Sequence, residues 1–333
     1  MKTKIVSLLS DHTLPNYLFI KEMAGKYDSL IFITTEKMAN KQMGQYMENA
    51  LGLAPGSVTR VLISNDDYSA TLKALKDKNF SNDDKYIVNI TGGTKIMSLA
   101  TFEFFKGFNN TSFVYVPITT NTYVETDTGE THPINYRVSL YEYLALYGLR
   151  YESSTTLLMP AADTENFFEE IKRKRFRPHK KIKEAHTFKD SRLAKYYSGE
   201  WFEEYCYNRI KKEKHLRDED IALSMKIYRK DSVMHDNEID VAFTLDNQLY
   251  IIECKYSMWG YGKETQKTIQ DYLYKLAAIC KDLGLIVNPY LLTLHPMHFL
   301  DEKALEHLEK RTKILGIRDI IAQDKFMQAL LPL

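Results

Sequence analysis

Glu238-Ile-Asp-Val-Ala-Phe-Thr-Leu-Asp-Asn-Gln-Leu-Tyr-Ile-Ile-Glu-Cys-Lys255 carries the most structural information in the sequence. Two apolar runs flank Asp246-Asn247, residue types that tolerate the positive φ of a tight hairpin turn. With those two as the loop, Leu245 pairs with Gln248, and counting back sets Asp240 opposite Glu253. A loop running from Leu245 to Gln248 keeps the same register. Opposed residues leave one sheet face with Cβ atoms about 5 Å apart. Two carboxylates so placed repel each other, and a divalent cation between them removes that cost. Hard oxygen ligands suit Mg²⁺ or Mn²⁺. Strand periodicity aims Lys255 at the same face as Glu253. An ammonium there can orient or help deprotonate an attacking water and offset charge on a phosphate. The competing interpretation is an exposed edge with ordinary charges. Against it, Ile251, Ile252 and Cys254 make the second strand apolar, as in a central strand.

Around this hairpin the second half of the chain reads as mixed α/β. A helix over Gly199–Lys212 precedes a β-rich centre from Ile221 to Tyr256. A helix over Glu264–Leu283 follows, closed by Gly284, with Ile269, Leu273, Leu276, Cys280 and Leu283 as its core face. Leu285–Val287 and Tyr290–Leu294 read as two strands, and the remainder as helix. Residues 163–198 read as a charged helical bridge bearing Lys172, Arg173, Lys174, Arg175, Arg177, Lys180, Lys181, Lys183 and Lys189. Such a run is either a solvated helix face or a surface for nucleic acid.

The first half alternates short apolar strands with helices, the pattern of a parallel sheet covered on both faces. Strands are expected at Lys4–Leu9, Leu30–Ile33, Val58–Ile63, Tyr86–Ile90 and Phe113–Val116. Helices are expected at Leu14–Gly25, Glu36–Leu51, Tyr68–Asp77, Lys95–Phe105 and Tyr141–Gly148, with a hairpin turning at Asp127–Gly129. The strand-to-helix turn Asn89-Ile-Thr-Gly-Gly-Thr-Lys95 stands out. Gly92 and Gly93 permit a sharp turn and close approach of a ligand, and N–H groups at a helix start favour phosphate oxygens. Thr91, Thr94 and Lys95 add donors and charge; the turn is neither a Walker A loop nor a GxGxxG fingerprint. Ser10-Asp-His-Thr-Leu-Pro-Asn16 and Thr34-Thr35 end the first two strands on the same sheet edge, where ligands of such folds bind.

With 333 residues, two ordinary domains fit. The 45 Lys+Arg against 44 Asp+Glu exclude a protein that coats nucleic acid by bulk charge alone. Cys206, Cys254 and Cys280 form no CxxC pair, which argues against a disulfide framework or a cysteine zinc site and favours a reducing compartment. The run Ile5–Leu9 is too short for a signal peptide, and no segment approaches the roughly 18 apolar residues of a membrane span. A cytoplasmic protein without membrane contact is expected.

Asp240 and Glu253-Cys254-Lys255 resemble the PD-(D/E)XK nuclease signature, with Ile239 where the literal signature has proline. The Gly199-Glu-Trp-Phe-Glu203 helix resembles the preceding helix of that fold. The resemblance implies a restriction-endonuclease-like α/β domain over 199–333, with Asp240, Glu253, Cys254 and Glu203 about the metal. It further implies Lys255 as assistant to the nucleophile and Gln270 as a substrate- or water-positioning residue; Glu203 is favoured over Glu204. Ser10-Asp11…Pro15-Asn16 and Thr91-Gly-Gly-Thr-Lys95 resemble the two ligand loops of CRISPR-associated Rossmann-fold (CARF) sensors, with His12 where relatives often have glutamine. That implies a Rossmann-like parallel-sheet CARF domain over 1–150, joined by the basic bridge 151–198. Ser10, Asp11, His12, Pro15, Asn16, Thr34, Thr35, Thr91, Gly92, Gly93, Thr94 and Lys95 become its expected ligand residues.

The domain order is similar to the CARF–nuclease effectors of type III CRISPR systems. The resemblance implies a homodimer, activation by cyclic tetra-adenylate, dependence on Mg²⁺ or Mn²⁺, and cleavage of RNA, DNA or both. Tyr256, Trp259 and Tyr261 beyond the hairpin are candidates for stacking on a single strand. Three other readings stay open on sequence grounds: a ligand-responsive DNA-binding regulator, a ring nuclease degrading the cyclic ligand, and a restriction- or repair-type nuclease that needs no cyclic nucleotide.

Overall fold

A computed structural model describes the chain apart from residues 119, 155, 177–178, 230–231, 234–236, 257–262, 285 and 329–333. The chain folds as two units, Met1–Leu149 and Arg150–Leu333.

In the first unit, β1 (Thr3–Leu8), β2 (Ser29–Thr34), β3 (Thr59–Leu62), β4 (Lys85–Asn89) and β5 (Thr111–Tyr115) are parallel. The hairpin of β6 (Thr122–Glu125) and β7 (Thr131–Pro133) extends the sheet antiparallel. The order is β3-β2-β1-β4-β5-β6-β7. Val6, Leu8, Ile31, Ile33, Tyr86, Val88 and Phe113 pack with Met97 and Phe105 of the Lys95–Phe105 helix in one core. Burial on both faces explains why the central strands read as continuous apolar runs. The chain winds from β1 through β2 to β3, then crosses back to β4. The loops after β1 and β4 therefore part at the switch point of the sheet, where such folds bind ligands. One expected helix is two: Glu36–Asn40 and Met43–Ala50 are separated at Gln42, whose φ is 60°.

The second unit holds a six-stranded sheet. Its strands are β8 (Leu149–Ser154), β9 (Ile221–Arg229), β10 (Asn237–Leu245), β11 (Gln248–Lys255), β12 (Val287–Thr293) and β13 (Asp319–Ile321). They lie in reverse numerical order, β13 to β8. The ladder Leu245–Gln248 to Val241–Ile252 shows the two-residue turn. Asp246 and Asn247 have φ of 50° and 60°, the pair of positive values a type I′ turn requires. Trp201, Phe202, Tyr205, Cys206 and Ile210 of the Trp201–Glu213 helix pack on Val241, Phe243, Tyr250, Ile252 and Cys254.

Three features differ from expectation. Two strands were expected about Asn288-Pro289, but β12 runs unbroken through Pro289. Proline removes one donor from the ladder; its carbonyl still accepts from Arg318 N at 2.8 Å. Strands β8 and β13 were not expected, and β13, with 3 residues, is too short to show a period. Finally, residues 161–173 are packed into the second unit: Phe167, Phe168 and Ile171 join its core, and the Phe168 and Tyr205 rings stack with centroids 3.8 Å apart. Several bridge cations are engaged locally, Lys172 with Glu169 at 3.0 Å and Lys181 with the Tyr197 hydroxyl at 3.2 Å. Arg177 lies outside the described residues.

Candidate active site and ligand pocket

Asp240 and Glu253 are brought together by the β10–β11 register and are tied by one ammonium. Lys255 Nζ lies 3.0 Å from Asp240 Oδ2 and 2.8 Å from Glu253 Oε1. Asp240 Oδ2 also accepts from Cys254 N at 2.7 Å. The Glu253 side chain is 2% exposed. Lys255 donates as well to the Cys254 carbonyl at 3.0 Å, and its Nζ sits 5.2 Å from the centre of the Tyr272 ring. Burial alone would lower the Lys255 pKa, but the two carboxylates outweigh it and raise it. Lys255 is therefore a cation here, able to donate to water or phosphate but not to accept a proton.

Glu203 faces this cluster from the first turn of the Trp201–Glu213 helix. Burial, then the charge of Asp240, push its pKa up to about 8. Asp240 is pushed up to about 6 by burial and then by Glu253. Glu204 does different work: buried, it accepts from the backbone N–H groups of Leu158 and Met159. The Cys254 thiol lies in the core against Cys206, where burial raises its pKa well above the ordinary value. What Cys254 offers the site is its carbonyl oxygen. Gln270 is not brought to the cluster. It lies on the opposite flank of the core stripe of its helix, with Nε2 2.9 Å from His307 Nδ1. Tyr256 packs edge-on against Trp201, and Trp259 and Tyr261 lie outside the described residues. Sequence reasoning missed Tyr272 and Lys275, which flank the core stripe on the site side; Lys275 Nζ is 3.1 Å from Glu253 Oε1.

Three carboxylates converging on so little solvent carry a repulsion visible in the raised values of Asp240 and Glu203. Both shifts are upward, so protonation favours the metal-free fold. Their contribution is full below the unfolded carboxylate range, about pH 4, and is lost as pH rises through about 6 and about 8. In chelator, the melting temperature of the second unit should fall between pH 5 and pH 8.5, and Glu203→Gln should flatten the upper part of that fall. A Glu203→Gln profile superimposable on the wild type would contradict the placement of Glu203.

The first unit has a cavity of about 700 Å³ at the carboxyl edge of its sheet, lined by Ser10, Asp11, His12 and Pro15 after β1 and Thr35 after β2. Thr91, Gly92, Gly93 and Thr94 after β4 complete that side. Its lining also includes Ser64, Asn65 and Ile118, which sequence reasoning did not select. Ser64 and Asn65 follow β3, so the same rule of strand termini identifies them once β3 is included. Asn16, Thr34 and Lys95 do not line the cavity. Asn16 is buried beneath it, donating to the Leu8 carbonyl at 2.6 Å and accepting from Asn89 Nδ2 at 3.1 Å. Asn89 Oδ1 in turn accepts from Thr91 N at 3.0 Å and Thr91 Oγ1 at 2.5 Å. This relay pins the glycine loop to the end of β1. Thr94 and Thr35 cap helices through their hydroxyls, accepting from Met97 N at 3.2 Å and Met38 N at 3.3 Å. Burial lowers the His12 pKa, leaving a neutral imidazole at the rim.

Residues 5–143 match the Card1 CARF domain family, and residues 190–322 match the Card1-like endonuclease domain family. The chain is a CARF-domain endonuclease. Its pocket lies in the CARF domain and its carboxylate–lysine cluster in the endonuclease domain. Can2 from Sulfobacillus thermosulfidooxidans, solved in complex with cyclic tetra-adenylate, is 23% identical with a TM-score of 0.74, over 97% of this chain and 96% of that one. The protein VC1899 from Vibrio cholerae is 17% identical with a TM-score of 0.74, over 98% and 95% of the two chains. A type III CRISPR defence DNA nuclease activated by cyclic oligoadenylate is 15% identical with a TM-score of 0.58; the match covers 94% of this chain and 52% of that one. At these identities the likeness is one of fold. No curated protein matches the chain. Among the described residues no helix is long and apolar enough to cross a membrane.

Proposed function

We propose that this chain is a metal-dependent endonuclease of type III CRISPR defence, switched on by cyclic tetra-adenylate bound in the CARF pocket. The observation that carries the reading is the Asp240–Glu253–Lys255 constellation, with Asp240 and Glu253 sharing the Lys255 ammonium within 3.0 Å. Buried like charges are costly, and a divalent cation answers that cost with ligands of the right hardness. Asp240 and Glu253 would hold Mg²⁺ or Mn²⁺, with Glu203 and the Cys254 carbonyl beside them. Bound there, the ion supplies Lewis acidity and a water of lowered pKa. Lys255 orients that water and offsets charge on the phosphate by donating hydrogen bonds. Glu203, whose pKa burial and Asp240 push up to about 8 in the metal-free protein, would add an oxygen donor beside that ion.

The activator assignment draws on the pocket and on Can2. Loop N–H groups and a helix start at Thr91–Lys95 suit phosphate oxygens, and Ile118 and Met97 offer apolar contact to bases. Leu99, Tyr115 and Ile118 are exposed apolar side chains of this domain that a second copy would be able to cover. A four-fold repeating ring on a two-fold axis suits such a pair. Activation then requires that the ligand bind the cutting-competent state more tightly than the resting one.

Labelled single-stranded RNA, single-stranded DNA and supercoiled plasmid, incubated with Mn²⁺ and cyclic tetra-adenylate, test the reading. Cutting of at least one of them is expected. A protein that binds the ligand and cuts none would instead be a ligand-responsive regulator.

A further inference from the structure

Glu253 is held by two ammonium groups of unequal standing. Lys255 is 21% exposed and has the Asp240, Glu253 and Cys254 oxygens and the Tyr272 ring about it. Lys275, on the Lys263–Cys280 helix, is 46% exposed and lies 3.1 and 3.4 Å from the two oxygens of Glu253. Tyr272 and Lys275 are one helical turn apart, so a single face of that helix meets both the buried carboxylate and its other partner, Lys255.

We propose that Lys275 is a displaceable counter-ion for Glu253, which yields its place to the divalent cation and then takes a phosphate oxygen of the nucleic acid. The proposal rests on the reading of Asp240 and Glu253 as metal ligands. In the metal-free protein two lysines balance two carboxylates. A divalent cation on the same carboxylates makes one ammonium redundant, and cations at such range repel strongly. Lys255 is anchored at several points. Lys275 leaves at low cost, because its long stem is half in solvent and its ammonium rehydrates. Once released, it stands at the edge of a site whose carboxylates the cation has neutralised, which is where a phosphodiester arrives. The same side chain thus opposes metal binding and favours substrate binding. A plain structural ion pair would do only the first, so the effect on substrate marks the difference.

Calorimetric titration of Mn²⁺ into the full-length protein without nucleic acid tests this, using wild type, Lys275→Met and Lys275→Arg. Lys275→Met should bind Mn²⁺ about twofold to fivefold more tightly, the range expected for loss of a partly exposed competing ion pair. Lys275→Arg should match the wild type. At saturating Mn²⁺ and activator, Lys275→Met should raise KM for the cleaved strand more than it lowers kcat, and Lys275→Arg should restore KM. Mn²⁺ affinity unchanged or weakened in Lys275→Met would overturn the proposal. Should Lys275→Met fail to fold, Lys275→Gln makes the same comparison. Asp240→Ala separates the two readings: if it binds Mn²⁺ as the wild type does, the metal site itself is misplaced, whatever Lys275 does.

Discussion

Asp240→Ala should lower the rate of activated cleavage by on the order of a thousandfold or more, with ligand binding by the CARF domain unchanged. The expectation follows from what one side chain holds. Asp240 Oδ2 takes the Cys254 N–H at 2.7 Å and the Lys255 ammonium at 3.0 Å. Its removal therefore deletes one proposed metal ligand and frees Lys255 to collapse onto Glu253. Asp240→Asn should fail similarly, because an amide keeps the shape but lacks the charge. The measurement is single-turnover cleavage with saturating activator and Mn²⁺, beside calorimetric binding of cyclic tetra-adenylate. Wild-type cutting by Asp240→Ala would refute the assignment of this site. Loss of both cutting and ligand binding would point to misfolding, and Lys255→Met would then carry the test.

The second large effect is at Gly92. A Cβ there would stand 2.0 Å from the Leu8 carbonyl oxygen and 3.1 Å from its carbon. Backbone cannot yield as a flexible side chain can, so the loop 91–94 must move off the end of β1. The relay from Asn16 through Asn89 to Thr91 would break with it. Gly92→Ala should weaken cyclic tetra-adenylate binding by on the order of a hundredfold, equivalent to about 2.7 kcal/mol. Gly107→Ala is the control, since its added carbon meets nothing nearer than the Phe104 carbonyl oxygen at 3.5 Å. Equal ligand affinity in Gly92→Ala and wild type would show that this loop is not the binding element.

The hairpin could be read residue by residue because its register depends on local chemistry alone. Asp246 and Asn247 set the turn, the turn sets the pairing, and the pairing aligns Asp240 with Glu253. The parallel sheet was legible for a related reason, since strands buried on both faces lose their polar alternation. Other parts depend on contacts between distant segments. Nothing in the sequence of β13 says that Asp319–Ile321 will lie beside β12. Residues 161–173 looked like a bridge because their charges outnumber the three side chains, Phe167, Phe168 and Ile171, that dock them. The site shows the same division. Residues at strand ends could be named from topology. The flank of the Lys263–Cys280 helix that meets the carboxylates depends on how that helix lies over the sheet. Gln270, the residue motif analogy named, meets His307, and Lys275, which no motif named, meets Glu253. Polar loop residues also divide in a way sequence cannot reveal: Asn16 supports the pocket from below, while Ser10 and His12 line it.

The central claim is that one chain couples occupancy of the CARF pocket to phosphodiester cleavage at Asp240 and Glu253. Its most direct test is the single-turnover rate on one labelled substrate at fixed Mn²⁺, with and without saturating cyclic tetra-adenylate. A resting state favoured by a few kcal/mol predicts an activated rate at least about a hundredfold above the basal rate, with no cutting once the metal is chelated. Equal rates with and without the ligand, with the ligand shown to be bound, would leave a nuclease and a pocket but contradict their coupling.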